Sequence, residues 1–232
     1  MLGFALVASA AVHAGLPTDA TLARLAPKAN PDAIALALSA VQCAQRHGQG
    51  SAATRLTLID YSLSSLTPRL WVFDIATEKL LFEEHVAHGQ GSGENYAKAF
   101  SNNDGSHQTS LGLFLTASTY QGANGYSLRL QGLDPGINDR AMDRAIVIHG
   151  APYVDPVAAK ARGRLGRSWG CPALRTAVAA KVIDSIKGGN FVFSYYPDKS
   201  LLARAQLAQC RGESTLLADN RAGSSRGAAR AA

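Results

Sequence analysis

From Leu56 to Tyr196 the chain is cut into short runs rich in β-branched, aromatic and leucine residues, each closed within a few positions by glycine, asparagine or aspartate. Runs of this length, bounded by turn formers, read as strands. They are Leu56–Ser62, Arg69–Ile75, Leu80–Val86, Gly112–Thr116, Ser127–Leu130, Arg144–Ile148 and Asn190–Tyr196, with Ala76–Lys79 as a hairpin turn. Gly89-Gln-Gly-Ser-Gly93 breaks the chain after the third run. The pattern predicts a mainly antiparallel β domain.

Two helices flank it. Pro31–His47 is filled by alanine and leucine, carries Pro31 and Asp32 in its first turn and stops at Gly48. Pro172–Lys187 has an apolar stripe of Leu174, Val178, Val182, Ile183 and Ile186 and stops at Gly188-Gly189, with Pro172 where a first-turn proline is tolerated. The expected organisation is a signal-like segment at 1–14, a helical segment at 15–55 packing on the domain, the β domain at 56–200, and a C-terminal segment at 201–232 that is disordered from about 211.

The first residues are apolar, too short to span a bilayer, and end in Val12-His13-Ala14, a small-x-small cleavage pattern. They read as the later part of a secretory signal, with a packed helix as the alternative because no positive charge precedes them. No other stretch is apolar and long enough to span a membrane, so an exported protein without stable membrane insertion is expected. The net charge of +6 includes four arginines after Cys210 and forms no basic run or finger spacing, which argues against a nucleic-acid partner. Three cysteines in an oxidising compartment suggest a Cys43–Cys210 pair with Cys171 left free; three unpaired thiols are the other arrangement.

The residues that carry chemistry lie between the last two strands. Arg144-Ala-Ile-Val-Ile-His149-Gly150 puts a histidine at the end of a buried strand beside a glycine, and Gly166-Arg-Ser-Trp-Gly-Cys171-Pro172 puts a cysteine in a tight turn before a helix. Cysteine acyl transfer needs these parts. A thiolate attacks, and a helix N-terminus and an imidazole lower a thiol pKa. Glycine at 170 lets backbone N–H groups approach a reacting carbonyl. A lone cysteine in an exported protein is more often a half-cystine; the turn and the odd cysteine count point the other way.

At these residues the chain resembles the L,D-transpeptidase catalytic family of murein enzymes, in the branch that reads Ser-Trp-Gly-Cys-Pro. Further blocks resemble that branch in order: Asp60–Ser62, Arg69–Asp74, Ala87–Gly93, Phe100–Asn102, Thr109–Phe114, Tyr120–Gly122, Gly125–Leu133 and Phe193–Pro197. The resemblance implies a β-sandwich-like catalytic domain and a thioester acyl-enzyme on Cys171, with His149 cycling as base and acid. Gly170 and the Cys171 N–H would form the oxyanion hole. Peptidoglycan stem peptides would be the substrate, and Ser168, Trp169 and Gly150 would line the pocket. It also implies acylation by carbapenems.

Two departures qualify it. The familiar motif has histidine before Gly-Cys where this chain has Trp169, so His149 must act alone. It also has arginine two residues after the cysteine, where Ala173 stands; Arg175 is the nearest candidate. Arg167 and Arg175 could hold stem carboxylates bidentately or be solvated charges. Ser92 and Asn102 sit in family-like loops and could contact the donor stem or simply shape turns. His85 and His88 are spaced like metal ligands but lack a third partner, so no metal or cofactor is expected. Three functions stay open: transfer to an amine, hydrolysis of the same acyl-enzyme as an L,D-carboxypeptidase or endopeptidase, and non-catalytic wall binding.

Overall fold

The computed structural model describes residues 15–198 and Cys210. The signal-like segment at 1–14 and most of the C-terminal segment lie outside the described residues. Two N-terminal helices, α1 (Asp19–Leu25) and α2 (Pro31–Arg46), precede the strands β1 (Arg55–Asp60), β2 (Leu70–Asp74), β3 (Lys79–Glu84), β4 (Val86–Ala87), β5 (Gly112–Gly122), β6 (Gly125–Gly132) and β7 (Val147–Ala151). Then come α3 (Pro156–Arg162), β8 (Ala173–Arg175), α4 (Thr176–Ile186) and β9 (Phe191–Tyr195). No described helix is long and apolar enough to cross a membrane.

The strands form one sheet in the order β3-β2-β1-β9-β5-β6-β7-β8-β4. Pairing is antiparallel except at β1–β9 and β7–β8. The two edge strands, β3 and β4, are consecutive in the chain and separated only by His85. The sheet therefore curls until its edges nearly meet, a barrel-like closure. The sandwich-like faces expected from the sequence are the two sides of this one curled sheet.

Both sides are covered, which is why β2 is buried at all five positions and reads as a continuous apolar run rather than an alternation. Leu56, Leu58, Trp71, Phe73, Phe191 and Phe193 turn to one side and pack under α1 and α2. Ile59, Leu70, Val72, Phe114, Ile148 and Val192 turn to the other and pack with Ala179, Val182, Ile183 and Ile186 of α4. Helix α2 starts as its sequence predicts: the Asn30 side chain accepts the Asp32 N–H, Pro31 occupies the first turn, and the buried stripe runs Ala33, Ile34, Ala37, Leu38, Val41, Ala44. Cys43 on this helix is bridged to Cys210, with Cα atoms 6.0 Å apart.

A fully buried arginine rivets the seam. Arg69 donates from Nε and Nη2 to Val86 O, from Nη1 to Leu63 O, and from Nη2 to His88 Nδ1. Its N–H meets Glu84 O, so one residue engages both edge strands. Burial lowers its pKa to about 10, with Tyr61 and Asp60 offsetting part of the cost.

Three local expectations are corrected. The helix predicted from Pro172 begins at Thr176, because Ala173–Arg175 pair as strand β8 with β7 and β4. The strand predicted at Arg144–Ile148 begins at Val147 and runs to Ala151, so His149 stands in the middle of β7 rather than at its end. Helix α1 lies inside the helical segment expected at 15–55, whereas α3 is a helix that the sequence reading did not place. Helix α3 is capped by Asp155, whose side chain accepts from Val157 N and Ala158 N, and stopped by Gly163 at φ 73°.

Candidate active site

Strands β7 and β8 run parallel with His149 opposite Ala173, so Cys171, two residues ahead of β8, falls beside the start of β7. Its Sγ accepts from Val147 N–H at 3.5 Å and donates to Ala145 O at 3.7 Å. Val147 and His149 are two residues apart on one strand, about 7 Å along it. Thiol and imidazole thus grow from neighbouring points, although the resting thiol is hydrogen-bonded to backbone and not to His149. Cys171 is half-buried and outside any disulfide.

His149 is almost wholly buried, and its Nδ1 lies 3.0 Å from Gly150 O. A carbonyl only accepts, so Nδ1 carries the proton and Nε2 is left as the basic atom. Burial lowers the His149 pKa, which the bond to Gly150 O partly offsets. Burial raises the Cys171 thiol pKa, offset in part by the Val147 N–H and by the Arg144 charge. At neutral pH both groups rest uncharged. The helix-dipole activation expected from the sequence is absent: β8 separates the sulfur from the start of α4 at Thr176.

The turn around the cysteine is held from within and from two neighbouring loops. Ser168 Oγ accepts the Gly170 N–H at 3.1 Å and donates to Cys171 O at 2.6 Å. Ser168 N donates to His88 O, and Ser168 O accepts from Gln90 N. Thr109 Oγ1 accepts from Gly89 N at 2.9 Å and donates to Gly170 O at 3.3 Å. Gly170 has φ 122°, and a Cβ there would lie 2.8 Å from Gln108 O, so only glycine fits. The predicted oxyanion donor at 170 is corrected here, because its N–H is already given to Ser168. The Cys171 N–H has no acceptor among the described residues.

Other expected site residues are engaged elsewhere. Arg175 is held bidentately by Glu84 at 2.9 and 2.7 Å, and Arg167 donates to Glu94 and to Gly93 O. Ser92 is buried and its Oγ accepts from Thr109 N. Asn102 donates to Asp139 at 2.6 Å. Gly150 packs on α4, where an added Cβ would meet the Ala179 Cβ at 3.0 Å. His85 bonds to Leu66 O, while both His88 ring nitrogens are occupied by Arg69 and Gly93 O. Trp169 alone points outward, 72% exposed and stacked on His107 with ring centroids 4.9 Å apart. The parts that sequence reading missed are Thr109, His107 and Arg144. Nothing in their local spacing distinguishes them, since each acts on a segment far along the chain.

With this geometry in view, the sequence matches the L,D-transpeptidase catalytic domain over residues 25–195. The chain belongs to that family. Among solved structures it is similar to an L,D-transpeptidase from Mycobacterium smegmatis, at 15% identity over 62% of this chain and 59% of that one, with a TM-score of 0.39. It is also similar to the helical cell shape determining protein Pgp2 from Campylobacter jejuni, at 16% identity over 63% and 49%, with a TM-score of 0.43. Bd1075 from Bdellovibrio bacteriovorus matches at 18% identity over 70% and 56%, with a TM-score of 0.40. The chain thus spans less than two thirds of the length of these relatives. No curated protein matches it.

Within this L,D-transpeptidase-family domain, a cleft of about 440 Å³ opens at the far ends of β7 and β8, lined by Ala151, Val154, Asp155, Val157 and Arg175. It lies several residues along both strands from the sulfur, which does not line it.

Proposed function

We propose that the protein is a peptidoglycan L,D-transpeptidase working through a thioester on Cys171. The observation that carries this reading is the arrangement on β7. A free thiol lies against Val147, and two residues on an imidazole has Nδ1–H tied to Gly150 O, leaving Nε2 to take a proton. Because both groups start neutral, His149 acts as a general base at the moment of attack rather than as half of a standing ion pair.

The steps balance as follows. Nε2 takes the proton from Sγ as sulfur bonds to the carbonyl carbon of an L,D peptide bond in a stem peptide. The Cys171 N–H, without an acceptor among the described residues, receives the oxygen as it gains charge. The C–N bond breaks, and the imidazolium returns its proton to the departing amine. An amine of a neighbouring stem, deprotonated by Nε2, then attacks the thioester and expels the thiolate, which recovers that proton. The Cys43–Cys210 bridge supports an exported protein of the periplasm or cell wall, since such bridges persist in oxidising compartments.

The test is mass spectrometry of purified stem peptides incubated with the protein. Cross-linked dimers support transfer, and trimmed monomers assign the same acyl-enzyme to hydrolysis. Loss of both products, together with loss of the enzyme-bound thioester, is expected in Cys171→Ala. A Cys171→Ala protein that still makes product overturns the proposal.

A further inference from the structure

Arg144 ends the loop before β7, and its guanidinium donates four hydrogen bonds: from Nη1 to Ser101 O and Ser110 Oγ, and from Nη2 to Ser106 Oγ at 3.2 Å and Gln108 O at 2.8 Å. All four acceptors are neutral. Among the described residues Arg144 belongs to no ion pair. A half-buried guanidinium ordinarily acquires a carboxylate partner; this one is braced by hydroxyls and carbonyls, with the Asp104 carboxylate acting only from beyond ion-pair contact.

Arg144 is tied to the cysteine turn in two ways. Through the backbone, Arg144 is followed by Ala145, a non-glycine residue at φ 52° whose carbonyl accepts from the Cys171 Sγ. Through the side chain, it holds Gln108 O, the atom that leaves no room for a Cβ at Gly170. The next residue, Thr109, bonds Gly170 O. The groups titrating or charged near the sulfur are Arg144, Tyr61, Tyr153 and His149, and burial raises both tyrosines, keeping them neutral. Around Arg144 itself stand Asp104 and Arg140, of opposite sign.

We propose that Arg144 is a positioning residue for the nucleophile: it clamps the 101–110 wall onto Gly170 and supplies the positive charge against which Cys171 ionises. It thereby takes the part left open by Trp169, which stands where a histidine is familiar, and by the displaced start of α4. This rests on Cys171 being the nucleophile but is read on the sulfur itself, so it stands or falls separately from transfer.

The experiment measures the rate of Cys171 alkylation by iodoacetamide on the full chain from about pH 6 to about pH 10, with Cys171→Ser as blank. Arg144→Gln should move the titration curve upward in pH, slowing alkylation about three- to tenfold at neutral pH. Arg144→Lys, which keeps the charge and loses the fork, should stay within about twofold of the wild-type rate at neutral pH. A folded Arg144→Gln protein whose profile superimposes on wild type overturns the proposal. Should Arg144→Gln fail to fold, Arg144→Met is read in its place: a midpoint above that of Arg144→Lys upholds the proposal, and one equal to it overturns it.

Discussion

Ser168 offers the sharpest separation between a residue that binds substrate and one that builds the site. Its hydroxyl makes two short bonds inside the turn, from Gly170 N–H at 3.1 Å and to Cys171 O at 2.6 Å, and the residue is buried. Ser168→Ala removes both. Each bond contributes about 1 kcal/mol net, and each orphaned partner adds up to about 1–3 kcal/mol if no water reaches it, so unfolding should become easier by about 2–4 kcal/mol. The same change unpins the backbone on either side of the sulfur, and a displacement near 1 Å costs on the order of a hundredfold in a step that depends on alignment. The expected result is kcat lower by about ten- to a hundredfold with KM within about twofold, since nothing that touches substrate is deleted. Urea unfolding by circular dichroism, paired with initial rates on a stem tetrapeptide, reads both quantities. An unfolding midpoint equal to wild type with a rise confined to KM would return Ser168 to the substrate pocket and refute the brace.

Gly170→Ala should abolish product and lower stability, because φ 122° and the Gln108 carbonyl 2.8 Å from the new Cβ both oppose it; comparison of thermal unfolding and activity checks this. The pH dependence of kcat/KM follows from neutral His149. Its folded pKa is depressed by burial, so the base stays unprotonated below the ordinary histidine value, and activity should be lost on acidification only beneath that value. An acid limb at or above the ordinary histidine pKa contradicts the assignment. Cys43→Ser with Cys210→Ser removes a bridge spanning 167 residues, a loss of up to about 5 kcal/mol in a chain-entropy account, visible in urea unfolding. The alkylation rate of Cys171 should be unchanged in that variant.

What could be read from the sequence was local. The apolar runs of β1, β2 and β9 announce themselves, and Asn30, Pro31 and the Ala/Leu stripe specify α2 without help from elsewhere. Cys171 and His149 stand out in the sequence because a cysteine in a glycine turn and a histidine beside glycine are unusual neighbours. The errors came where a distant partner decides. Residues Pro172 to Leu174 look like the start of a helix, yet Leu174 pairs with Val86, and that pairing outweighs helix preference. The strand read as Arg144–Ile148 runs on to Ala151, because Gly150 and Ala151 pair with Leu174 and Arg175. Arg175 was free to be assigned to substrate because Glu84 lies 91 residues away in sequence. Arg144 escaped notice because its acceptors are mostly serine hydroxyls and carbonyls, which no charge pattern reveals.

The position of β9 sets a clock on the molecule. Within the sheet, strands β1 to β3 are joined to strands β5 to β8 through this last strand, since β9 lies between β1 and β5. The hydrogen-bonded sheet cannot run unbroken from β1 to β5 until Phe191–Tyr195 have left the ribosome. A nascent or threading chain therefore completes its sheet in a late step, when the final strand slides into its slot.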